Sequence, residues 1–151
     1  MVLSLFSLAS ARTSMGPEVK KQVIDVLTAG DQLHESFFQY DSTKVEQAAK
    51  VVMSNIEKIK SAEIASLLKV TKEKLASIKK DASEEANKEN FYIVSLGLGN
   101  IVRKYDVGGK WNVYSCPMVK KKWVQNSQKH PNIQNPYAAA MANCGSKDTN
   151  F

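Results

Sequence analysis

Apolar residues return at three- and four-residue intervals through Val19, Val23, Val26, Leu27, Leu33, Phe37 and Phe38, which predicts a helix from Pro17 to about Tyr40. Ser14 or Gly16 precedes its cap, Pro17 falls in the first turn, where a missing N–H costs nothing, and Gly30-Asp31 interrupts it weakly. Asp41-Ser42-Thr43 offers a fresh N-cap, with Thr43 and Glu46 at capping-box spacing. Val45, Ala48, Ala49, Val52, Ile56 and Ile59 then form the stripe of a second helix. A third restarts at Ser61-Ala62-Glu63, with Ile64, Leu67, Leu68, Leu75 and Ile78 as core candidates and lysines opposite. Ser83-Glu84-Glu85-Ala86 caps a fourth, in which Phe91, Val94, Ser95, Leu98, Ile101, Val102 and Tyr105 recur on one face. Gly97 and Gly99 each lower its propensity by about 1 kcal/mol relative to Ala, so they mark close packing or a ligand-facing notch. Short connections favour antiparallel neighbours, and the expectation is an all-α protein, an up-down four-helix bundle over residues 17–105.

Beyond Asp106 the pattern changes. Gly108-Gly109 is a turn and Trp111-Asn112-Val113-Tyr114 a short extended run. From Ser115 to Phe151 the chain is interrupted by Pro117, Pro131, Pro136 and Gly145, with helical period only from Tyr137 to Asn143. An irregular tail of this length, residues 106–151, needs something to organise it, and that makes it the place to look for function.

The chain has 151 residues, 43% of them hydrophobic, enough for one domain to bury a core without help from disulfides. Residues 12–151 are read as that domain. Residues 1–11 hold no charge and end in Ala9-Ser10-Ala11, a small-x-small cleavage pattern, and are read as the remnant of an export signal. No apolar run reaches the length of a membrane span. The net charge of +6 comes almost wholly from lysines interleaved with acids, the pattern of solvated helix faces. Only Arg12 and Arg103 offer the fork that base edges and phosphates favour, so a nucleic-acid partner is not expected.

The tail holds two compact sulfur pairs, Cys116-Pro117-Met118 and Met141-Ala142-Asn143-Cys144. On a helix, positions 141 and 144 share a face, and Pro117 stiffens the backbone between the other two sulfurs. Thiolate and thioether are soft donors that select Cu(I) or Ag(I), so Cys116, Met118, Met141 and Cys144 make a coherent soft-metal site. The same two cysteines are equally able to form a disulfide that pins the tail, and the count alone leaves both open. Zinc is disfavoured there, because closed tetrahedral coordination needs more Cys or His donors. Asn135-Pro136-Tyr137 reads as the capped start of the Met141–Cys144 helix and Gly145 as its end. Trp123 reads as packing over the tail, and His34 as an additional ligand candidate on the first helix. His130 reads as a loop residue.

These segments resemble one family. Tyr114-Ser115-Cys116-Pro117-Met118, Trp123, Ile133-Gln134-Asn135-Pro136-Tyr137 and Met141-Ala142-Asn143-Cys144-Gly145 are similar to the signature of an uncharacterised exported helical domain, found alone or attached to periplasmic adaptor subunits of copper and silver efflux pumps. The chain departs from that pattern at Ser115, which separates the Tyr from the Cys, and at Ala138, where a larger residue is usual. The resemblance implies soft-metal handling in the periplasm of a Gram-negative bacterium, with an efflux adaptor or another copper protein as partner. It implies no enzymatic activity. No Ser/His/Asp set, phosphate loop, HExxH or CxxC stands in the chain either, and a non-enzyme is expected. The reading is thus a Cu(I)- or Ag(I)-binding protein for sequestration or transfer. The alternative is a structural or interaction module whose tail is pinned by a Cys116–Cys144 disulfide.

Overall fold

The computed structural model describes residues 11–151, so the export remnant read into residues 1–11 lies, but for Ala11, outside the described residues. Helix α1 (Pro17–Phe38) starts at Gly16 with Pro17 in its first turn and runs unbroken through Gly30-Asp31. Helix α2 (Ser42–Glu57) is capped by Asp41, whose carboxylate accepts from the Lys44 N–H. The expected Thr43–Glu46 box does not form; Glu46 instead pairs with Lys50 and accepts from the Lys80 N–H at 2.7 Å. The third apolar stripe is two short helices, α3 (Ala62–Leu67) and α4 (Lys69–Ala76), divided where Leu68 leaves helical geometry at φ −93° and ψ 5°. Helix α5 (Glu84–Lys104) begins at Ser83, whose hydroxyl caps the Ala86 N–H. The buried Asn87 side chain spans the turn before it, accepting from the Lys79 N–H at 3.1 Å and donating to the Lys79 carbonyl at 2.8 Å.

The fold is not an all-α four-helix bundle: the described residues form a mixed α/β fold of five helices and a three-stranded antiparallel sheet. Strand β1 (Trp111–Cys116) lies between β2 (Lys121–Asn126) and β3 (Ser146–Lys147). Val113 pairs with Val124, Tyr114 with Trp123 and Cys116 with Lys121. Lys120, at φ 54°, closes the β1–β2 hairpin. The lysine run conceals this strand in the sequence. By residue type the run Lys120-Lys121-Lys122 suits a solvated loop, but Lys121 and Lys122 open β2, and their ammonium groups reach Glu89 and Asp148. A bundle would put another long helix between α1 and α5. Here β2 packs against both, and those two helices touch each other little.

Alternation along the strands gives the sheet two faces. Val113 and Val124 face α5 at Gly99, where a Cβ would lie 3.5 Å from Val113. Tyr114, Cys116, Trp123 and Gln125 lie on the other face, and the segment from 127 to 145 covers it. The tail is therefore an ordered third layer rather than an irregular appendage. Nor does it contain the expected Met141–Cys144 helix, for only a single 3-10 turn forms, over Ala139–Met141. The reason is local. Asn135 closes the segment on itself, its N–H donating to the Ala142 carbonyl at 2.7 Å and its side-chain amide to the Cys144 carbonyl at 3.2 Å. Within the closed segment the Met141 and Cys144 N–H groups reach only three residues back, to the Ala138 and Met141 carbonyls at 3.0 and 2.8 Å, the spacing of 3-10 rather than α-helical turns.

Candidate functional site

The sheet's outer layer brings the two cysteines together as a disulfide, Cys116–Cys144, with Cα atoms 5.7 Å apart. Cys116 is buried on β1, and Cys144 is partly buried against the same core. The bond ties the covering segment to the central strand, and in this state neither sulfur is a thiolate. The thioethers sit outside: Met118, in the hairpin turn, is 70% exposed and Met141, closing the 3-10 turn, 38%.

The residues expected to support a sulfur site build the layer itself. Pro117 is exposed in the hairpin turn, and Pro136 is buried beside Tyr137. Trp123 is fully buried, its indole N–H donating to Gln125 Oε1 at 3.1 Å. Asn135 Oδ1 accepts from the Tyr137 N–H at 2.9 Å. The Tyr137 hydroxyl lies 3.0 Å from Ser95 Oγ and 2.9 Å from the Lys122 carbonyl, joining the layer to α5 and β2, and burial pushes its pKa well above the ordinary tyrosine value. Gly145, at φ +147°, lies where a Cβ would sit 2.8 Å from the Ser115 carbonyl and 2.9 Å from the Trp123 ring.

A different constellation forms where the loop after β2 meets α1. Asp31 and Glu35 are four residues apart on α1 and so share a face. The loop is shaped by Asn126, whose Oδ1 accepts from the Gln128 and Lys129 N–H groups, both at 3.1 Å. Its carbonyl takes the His130 N–H at 2.8 Å. Gln125, itself buried, donates to the His130 carbonyl at 2.8 Å and fixes that residue from behind. Lys129 and His130 are thereby aimed at α1. His130 Nε2 stands 3.2 Å from Asp31 Oδ2 and 3.3 Å from Glu35 Oε1, and Lys129 Nζ stands 2.9 Å and 2.7 Å from the same two oxygens. The hydrogen bond with Glu35, then that with Asp31, holds the Lys129 ammonium above the ordinary lysine value against its partial burial. One ligand atom from each of Asp31, Glu35 and His130 lies within 4.8 Å of the other two, so these residues can hold a single metal ion.

His34 lies beside this cluster, its ring 6.2 Å from that of His130 and edge-on to it. It is fully buried, and burial lowers its pKa from 6.5 to about 4, so it is neutral at pH 7. Its Nε2 is 2.7 Å from the Gln134 carbonyl, an acceptor only, so that nitrogen carries the proton and Nδ1 has no partner among the described residues. His34 thus anchors the covering segment to α1 rather than joining the sulfurs.

Sequence reasoning passed over Asp31, Glu35 and His130. The available signal was Asp31, a carboxylate four residues after Leu27 and three before His34, inside the apolar stripe of α1. Buried carboxylates need partners, and its partners came from a loop about a hundred residues away. No protein-family model matches the chain, and no curated protein or solved structure matches it.

Proposed function

We propose that the chain is a structural and interaction module of an oxidising compartment, not an enzyme, whose C-terminal layer is held on its sheet by a disulfide. The Cys116–Cys144 bond carries this reading. It closes the covering segment over Trp123 and Gln125, and it uses up the two sulfurs that a soft-metal site would need as thiolates. Disulfides persist where thioredoxin and glutathione do not keep thiols reduced, so export from the cytosol is part of the reading. The lysines support an ordinary solvated surface, since eleven of the nineteen stand within ion-pair distance of an acid.

The finer expectation, Cu(I) or Ag(I) held by Cys116, Met118, Met141 and Cys144, belongs to the reduced chain alone. Intact mass before and after reduction separates the two. Protein purified in air should gain about 2 Da on reduction, as one disulfide requires. The double variant Cys116→Ser, Cys144→Ser should lose about 3 kcal/mol in urea unfolding, the loop-closure scale for a bridge of this span. The oxidised protein should leave Cu(I) with a chromogenic chelator. Free thiols in the aerated protein, together with tight Cu(I) binding lost in Cys116→Ser, would overturn the proposal and return the sulfurs to metal handling.

A further inference from the structure

Asp31, Glu35, His130 and Lys129 take no part in the disulfide reading, and their arrangement has a chemistry of its own. We propose that Asp31, Glu35 and His130 are a binding site for a divalent first-row transition ion, Zn2+ being the one their donors fit best, and that Lys129 is its displaceable occupant.

Four observations carry this. The donor set is one imidazole nitrogen and two carboxylates, the three-ligand complement that leaves Zn2+ a further position for water. It is too poor in sulfur for Cu(I) and too poor in oxygen for Ca2+. Next, Asp31 is 4% exposed, yet its Oδ1 has no hydrogen-bond partner among the described residues, while its Oδ2 accepts from both Lys129 and His130. A buried carboxylate with one oxygen overcommitted and one unused is satisfied by a chelated cation.

Charge gives the third. With the ammonium displaced and the imidazole ligating through its unprotonated nitrogen, the two carboxylates balance the charge of one divalent ion. Lastly, the exchange has a path. The Lys129 side chain is 48% exposed and Glu35 41%, so the ammonium can swing into water and the ion enter from that side. Behind the ligands, the Gln125 amide on the His130 carbonyl fixes the backbone that carries the imidazole before any ion arrives.

The test is a calorimetric Zn2+ titration of the tag-free, chelator-washed, oxidised chain, so that the disulfide reading and this one fail separately. One equivalent should bind. Glu35→Gln, chosen because its exposure lets the chain fold, should weaken binding at least about tenfold, and its thermal midpoint reports that it has folded. Lys129→Met should tighten binding about two- to fivefold by removing the competing cation, an effect that a stray surface site would not show. Co2+ in place of Zn2+ should give a visible absorption band, and Glu35→Gln should need at least about tenfold more Co2+ to reach half of its own band. No binding, or equal affinity in wild type and Glu35→Gln, would overturn the proposal and leave an ion-pair network only.

Discussion

At Gly145 the backbone holds φ +147° between β3 and the disulfide, a conformation that side chains rarely adopt, and a Cβ there would collide with the Ser115 carbonyl and the Trp123 ring. Neither neighbour can yield. The carbonyl belongs to the central strand, and the indole is fully buried with its N–H bonded to Gln125. Gly145→Ala should therefore destabilise the chain by about 2–3 kcal/mol, read as a lower urea midpoint at unchanged slope. A shift below a few tenths of a kcal/mol would mean that the segment's close seat on the sheet is wrong. The sequence marks this glycine as special but suggests the wrong cause, the end of a helix, because Tyr137 to Asn143 shows helical spacing and nothing local reveals that Asn135 will close the segment instead. His34 is a similar case. A histidine on an apolar face announces a polar partner, but not that the partner is the Gln134 carbonyl, a hundred residues on.

Among the elements, the helical segments were legible because each carries its own apolar stripe, though the stripe from Ile64 to Ile78 gives no sign of the break at Leu68 that makes it two helices. Ser83 and Asp41 cap where their residue types predict, and Gly97 falls at close packing. That packing can be tested. A Cβ on Gly97 would sit 1.9 Å from Thr71 Oγ1, which locks α4 onto α5 through a β-branched, buried side chain. Alanine is the better helix former by about 1 kcal/mol, yet Gly97→Ala should lose about 1–3 kcal/mol to overpacking. Thr71→Ala in the same chain should return much of the loss, a coupling that two independent sites would not show. The hairpin was legible only in half. Trp111 to Tyr114 reads as extended, but its partner begins with two lysines after a proline-containing turn, and a charge run resembles a loop. What makes Lys121–Asn126 a strand is its register with β1, with Val124 against Val113 and Trp123 against Tyr114, and pairing of this kind has no signature in a single segment. Without that strand, four apolar stripes sum to a bundle.

Across the whole molecule, the candidate functional residues divide by the range of contact that assembles them. Cys116 and Cys144 were legible as a pair that either bridges or ligates, since both choices need only proximity, which the folded tail supplies. Asp31, Glu35 and His130 were not, because two lie on the first helix and the third in a loop after the second strand, and only the packing of β2 against α1 joins them. The C-terminal end is held by a long-range contact of the same kind. Asp148 accepts from the Ser115 hydroxyl at 2.6 Å on β1, from Lys122 at 2.7 Å on β2 and from Arg103 at 3.4 Å on α5, while its N–H donates to the Val113 carbonyl at 2.7 Å. Partial burial pushes its pKa up, but the hydrogen bonds from Lys122 and Ser115 outweigh that and hold the folded value below the ordinary 3.8. A depressed folded pKa means that the unfolded chain takes up the proton first, so stability is contributed above pH 3.8 and lost as the pH falls through the lower folded value. Asp148→Asn should cost about 1–2 kcal/mol at pH 7, where wild type has the charged form of all three contacts. Measured by urea unfolding as the pH is lowered, the gap between the two chains should hold down to the ordinary aspartate range and close beneath it, as wild type protonates and the amide does not. A gap that stays constant into acid would assign the loss to changed shape at position 148 rather than to its charge, and the carboxylate would not be what fastens the last strand to the helices.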